Sequence, residues 1–288
     1  VGAVFSPSFG AQPFPFLSLE SRLLVWFLLG LPVVGGVLYY LWVARNLRQR
    51  GGRVSVQFFG LPDLFLASSL GLYFAASGVL FLFKAEPQPG MRPEQVWNNA
   101  GFMAAVLITV LVFVGMRPVP LLKAFHLSWD AASSFLLRAA LSLLTALPPI
   151  YATALLWERF VPGAGQEQAL VSLFRNSVET GDSRAVWLVV ASAFLGAPLL
   201  EEILFRGYFY VTLKRYIGAV GSALVVSALF AVCHGYAGVI PGLFILSLCQ
   251  TVLLERYGSL WVCIAMHACF NGLGLVQLYM EARGWMYH

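Results

Sequence analysis

The chain predicts an all-α fold, a polytopic transmembrane bundle of about eight spans. Three observations lead there. Of its 288 residues, 59% are hydrophobic and only 11% are charged, where soluble domains carry about 25%. Mean hydropathy is +0.79. Apolar runs of about 20 residues, long enough to cross a hydrocarbon core, recur along the chain.

The elements follow in order. Residues 1–21 hold Pro7, Pro13, Pro15 and several aromatics, without the basic-then-apolar layout of a signal peptide, and form an N-terminal lead-in. An N-terminal four-span membrane region, 22–157, has apolar runs at 22–44, 61–83, 96–116 and 133–157. Pro148 and Pro149 are expected to kink the last of these. The extracytoplasmic loop 158–184 comes next, and Leu170, Leu173 and Phe174 give its later part the spacing of an interfacial helix. A second four-span region, 185–288, has runs at 185–213, 218–236, 238–254 and 259–280. Pro198 should kink the fifth run, and the short turn His234–Gly238 separates the sixth from the seventh.

The net charge of +5 is dispersed between spans and interleaves with no aromatic stripe, so nucleic acid is not an expected partner. The basic residues read as topology signals. Arg45, Arg48, Arg50, Arg53, Arg117, Lys123, Lys214, Arg215 and Arg256 share one side, assigned to the cytoplasm; Arg22, Lys84, Arg92, Arg159, Arg175, Arg184 and Arg283 lie opposite with most acidic residues. Residues 117–130, with His126 and Trp129, form a second interfacial element in which a lone histidine is expected to be solvated. Cys233, Cys249, Cys263 and Cys269 form no Cys-x-x-Cys pair and read as buried small hydrophobes, the first and last beside polar residues of interest.

Those polar residues are the main chemical signal. Glu201 and Glu202 are adjacent inside the fifth apolar run, where one carboxylate costs roughly 2.5 kcal/mol or more. Arg206 is i,i+4 to Glu202, so it neutralises that carboxylate and leaves Glu201 free to face a cavity. His234 follows Phe230 by one turn on the sixth span, and His267 and Asn271 share a face of the eighth. At about 1.5 Å per residue, Glu201, His234, His267 and Asn271 reach one layer of the membrane. A carboxylate and an imidazole can deprotonate a water; a second imidazole and a carboxamide can donate to an oxyanion. That equipment suits hydrolysis of an acyl bond, most plausibly a peptide, without a protein nucleophile.

Glu201-Glu202-x-x-x-Arg206, Phe230-x-x-x-His234 and His267-x-x-x-Asn271 resemble the three signature motifs of the CPBP intramembrane proteases, in order and in their spans. That family includes the CAAX prenyl endopeptidase, which removes the terminal residues of prenylated proteins. The resemblance covers about residues 185–275 and implies a glutamate-dependent intramembrane endopeptidase. It implies that Glu201 and His234 activate water, that His267 and Asn271 stabilise the oxyanion, and that Glu202 and Arg206 support them. No cofactor is expected, with zinc on Glu201, His234 and His267 as the alternative. The implied partners are the lipid bilayer and a membrane-anchored peptide or protein, lipidated or not, in a prokaryotic plasma membrane. Substrate identity and oligomeric state are not legible. Two other classes stay open: a proton- or ion-coupled transporter, although no inverted repeat is visible, and a non-catalytic membrane binding or immunity protein.

Overall fold

The computed structural model describes residues 19–83, 91–128, 134–161 and 168–285, by backbone alone for 19–29. The lead-in up to residue 18, Lys84 and Trp129 lie outside them. No strand occurs among the described residues. The helices are α1 (Leu19–Arg50), α2 (Leu61–Leu82), α3 (Pro93–Gly115), α4 (Leu121–Ala124), α5 (Phe135–Phe160), α6 (Ala169–Thr180), α7 (Ser183–Val190), α8 (Ala197–Glu202), α9 (Val211–Val232), α10 (Ile240–Tyr257) and α11 (Leu260–Ala282). Six helical runs among the described residues are long and apolar enough to cross a membrane, and the longest is the 50-residue run Ser183–Val232. That run divides at Gly218, whose φ of 73° and ψ of 173° leave helical space, between the expected fifth and sixth spans.

Side-chain distribution makes this an integral membrane protein. Leu38, Trp42, Phe65, Leu72, Trp97, Ile108, Leu144 and Trp187 are exposed, while Asp63, Glu202, Arg206, Gln250 and Ser227 are wholly buried. Water would penalise such contiguous apolar surface; lipid does not. The buried polar groups must then find partners within the protein.

The core lies where α5 packs on α1, α10 and α11, and where α9 packs on α10 and α2. A second apolar cluster joins Val171, Phe174 and Val178 of α6 to Val189, Leu275 and Leu278. The helical spacing expected in loop 158–184 is realised as α6, docked on α7 and α11. Close packing fixes the end of α9. A Cβ on Gly78 would sit 2.2 Å from the Val232 carbonyl oxygen and 2.9 Å from Cys233 Cα. Gly78→Val must push α2 away or strain that end, and overpacking of this kind costs about 1–3 kcal/mol. Thermal unfolding in detergent should show the loss, with Gly101→Val, which has open space, as the unaffected control.

Pro198 disturbs its helix as expected, and the form of the disturbance is specific. Proline supplies no N–H for the i→i−4 ladder. The turn before it, Ala191–Gly196, is π-helical, and a second π segment, Ile203–Tyr210, follows the glutamates. By contrast α5 runs on through Pro148 and Pro149, where the Thr153 hydroxyl bonds the Pro149 carbonyl oxygen.

One end of the bundle gathers the basic loops. Arg117 makes a bidentate pair with buried Asp63 at 2.7 and 2.6 Å, and hydrogen bonding to that carboxylate raises the Arg117 pKa. Lys214 donates to the Val54 carbonyl and to Glu255, Arg53 N–H donates to the Glu255 carbonyl, and Arg215 donates to the Phe59 carbonyl. Residues assigned to one side of the membrane thus meet at one end.

His126 departs from expectation. It is buried rather than solvated, in a turn where its own carbonyl accepts from Leu260 N–H, and its Nε2 has no hydrogen-bond partner. Burial, with help from nearby Lys214, lowers its pKa against the opposing pull of the Ser55 and Gly258 backbone and of Glu255. A lowered native pKa means that the unfolded chain, titrating near 6.5, binds the extra proton first as pH falls. Stability is full above about pH 6.5 and declines below it until the native imidazole also protonates. Unfolding midpoints between pH 7.5 and 5 should fall less steeply in His126→Gln than in the parent; equal slopes would refute a neutral buried imidazole.

Candidate active site

The segment Glu201–Arg206 crosses the core from the end of α8 into the second π-helical stretch. Glu202 and Arg206 are both fully buried. Glu202 Oε1 accepts from Arg206 Nη1 at 3.0 Å, from Gln250 Nε2 at 3.0 Å, and meets His267 Nδ1 at 2.8 Å. Arg206 Nη2 donates to Gln250 Oε1 at 2.6 Å, and its guanidinium lies 4.3 Å from the Phe230 ring centroid. A buried carboxylate is sustainable only with such compensation, and the cation over the ring face adds to it. Glu202 thereby fixes the ring of His267 through Nδ1 and leaves Nε2 as the free edge.

Glu201 has a different environment. It is half-buried, with Oε2 shut from solvent and without a hydrogen-bond partner. It borders a cleft of about 120 Å³ between α3 and the α7–α8 segment, lined also by Asn99, Met103, Leu170, Ser192 and Leu200. The division of labour expected from the i,i+4 spacing is therefore present: Glu202 is locked and Glu201 faces a cavity.

His234 is not on a helix. α9 ends at Val232, and His234 sits in the following turn, closed by Gly235 at φ 71°. The relation to Phe230 survives: His234 Nδ1 lies 2.6 Å from the Phe230 carbonyl oxygen, and the rings are 4.9 Å apart. The Phe230 ring also stands 5.8 Å from that of His267, so one phenyl group spaces both imidazoles. Glu201 and His267 both act electrostatically on His234, which places the three in one neighbourhood. Cys233 belongs there too, its thiol 3.9 Å from His234 Nδ1. Asn271 lies one turn beyond His267 and donates through Nδ2 to the Ala193 carbonyl at 2.7 Å. That carbonyl is in the π-helical turn before Pro198, and the carboxamide keeps a second N–H.

Gln250 escaped the sequence reading although it ties Glu202 to Arg206. The available signal was an uncharged amide alone in the apolar run Leu246–Leu254, a residue type that bonds across helices in membranes. The zinc alternative would use Glu201, His234 and His267. Among the described residues no three His, Cys, Asp or Glu side chains converge as a ligand set. His234 Nδ1 is engaged by a backbone carbonyl and His267 Nδ1 by Glu202, which leaves Nε2 of each ring for a water, an oxyanion or a metal.

Residues 183–273 match the family described as type II CAAX prenyl endopeptidase Rce1-like. No curated protein and no solved structure matches the chain.

Proposed function

Residues 183–273 belong to the CAAX protease-like family of membrane endopeptidases, and from that premise we propose that this chain hydrolyses a peptide bond of a membrane-tethered protein with water activated by Glu201 and His234. The observation that carries the reading is the contrast within the glutamate pair. Oε2 of each carboxylate lacks a partner, but Oε1 of Glu202 is held by Arg206, Gln250 and His267, whereas Glu201 makes no side-chain hydrogen bond among the described residues and borders a cleft. A carboxylate with no donor of its own, at the edge of a cleft, is free to hold a water and accept its proton.

In the proposed reaction Glu201 takes a proton from water as the oxygen attacks the scissile carbonyl carbon. His267 Nε2 and the second Asn271 N–H receive the oxyanion. Glu202, at 2.8 Å from Nδ1, fixes the ring so that Nε2 is the edge turned to the reacting group. The proton on Glu201 then passes to the departing amine as the C–N bond breaks. No step runs through a metal. The family name points to a prenylated C-terminal tail as substrate, and the proposed setting is a prokaryotic plasma membrane.

The test is cleavage, by the protein in proteoliposomes, of a farnesylated quenched peptide with three residues after the modified cysteine, the parent against Glu201→Gln. Membrane proteomes of cells carrying either form extend it to natural substrates, through proteins that keep a terminal peptide when Glu201 is replaced. Equal cleavage by both forms refutes the reading.

A further inference from the structure

The cleft beside Glu201 is apolar apart from three groups. Met103 of α3, Leu170 of α6 and Leu200 of α8 make its walls, and Asn99 and Ser192 are the polar side chains that share it with Glu201. Among the described residues neither the Asn99 carboxamide nor the Ser192 hydroxyl makes a hydrogen bond. Asn99 stands on the same wall as Val96, Ala100 and Met103, across from the helix that carries Glu201. The Asn99 side chain is exposed and contributes nothing to the packing of α3, so its carboxamide is open to a partner that enters the cleft.

A substrate brings the complementary need. For its carbonyl to be attacked, the peptide must be extended, so its N–H and C=O groups lose their helical partners inside an apolar medium. Each unsatisfied group there costs several kcal/mol. A carboxamide offers a donor and an acceptor in one plane, matching a peptide unit. We infer that Asn99 is a substrate-positioning residue, its carboxamide pairing with the substrate backbone across the cleft so that the scissile carbonyl comes to rest beside Glu201. Ser192 serves the adjoining peptide unit. The inference rests on the proposed hydrolase reading and adds the residue that holds the substrate in register.

Binding and cleavage are measured separately, in nanodiscs, with the fluorescent farnesylated peptide and with an unlipidated apolar peptide. Binding is read on Glu201→Gln protein, with and without Asn99→Leu. The expected result is about tenfold weaker binding with Asn99→Leu, the scale of one lost hydrogen bond. Asn99→Gln should recover part of the loss, and thermal unfolding should not move, because the side chain has no partner to lose. Cleavage by the otherwise parental protein carrying Asn99→Leu should show a raised KM with kcat little changed. Equal binding with and without Asn99→Leu, a parallel fall in unfolding temperature, or no saturable binding of either peptide overturns the inference. If binding depends on Asn99 and neither peptide is cleaved, positioning stands and the hydrolase reading fails. If the parent cleaves, Glu201→Gln does not, and Asn99→Leu binds normally, the hydrolase reading stands and the inference falls.

Discussion

Glu201→Gln is expected to lower the rate of peptide-bond hydrolysis by about 10²–10⁴-fold, the usual contribution of a positioned general base, while thermal unfolding stays where it was or rises. The two halves of this expectation come from one geometric fact. Glu201 Oε2 is buried with no hydrogen-bond partner, so replacing the carboxylate by an amide removes little that holds the fold together. A neutral amide is also cheaper to hold in an apolar site than an ionised carboxylate would be. Glutamine keeps the shape and cannot accept the proton from water. The comparison that decides is between kcat and the unfolding midpoint of the same preparation. Loss of both together would make Glu201 a structural member of the polar knot, and the division between the two glutamates would be wrong.

Much of that division was legible in the sequence because helical spacing is a strong constraint. Glu202 and Arg206 at i,i+4 had to share a face, and they lie 3.0 Å apart. The apolar runs located the spans for a similar reason: 20 residues without charge have few other uses. Three things were not legible, each for a physical cause. The helix through the glutamates changes to π geometry on both sides of α8, and no residue pattern distinguishes an i→i+5 turn from an i→i+4 one, although Pro198 marked the place. The helical register assumed for His234 ends two residues early, because Gly235 takes a positive φ that residue type permits without requiring it. His126 was misjudged because its burial comes from α4 and the start of α11 closing over it, a tertiary arrangement that a single polar residue in a loop does not announce. Gln250 and Asn99 belong to the same category: lone amides on separate spans acquire meaning only when packing shows what stands opposite them.

Glu202→Ala carries the largest expected effect on stability. It would leave the Arg206 guanidinium wholly buried, with Gln250 Oε1 as its remaining hydrogen-bonding side chain, and would strip His267 Nδ1 of its partner. Removing one member of a buried ion pair costs about 3–5 kcal/mol, mostly the penalty of the charge left behind. The unfolding midpoint should fall by several degrees and hydrolysis should disappear, so the single substitution cannot say which loss causes the other. A double replacement separates them. Glu202→Leu with Arg206→Met removes both charges and substitutes apolar side chains, a change that is often neutral for stability where the single loss is severe. Its unfolding midpoint should return most of the way to that of the parent. Activity should not return, because His267 would still lack the carboxylate that fixes its ring. Recovery of hydrolysis along with stability would mean that Glu202 acts only by holding the bundle together. A Glu202→Ala protein that unfolds like its parent would mean that the pair contributes nothing to the fold, against everything its burial implies.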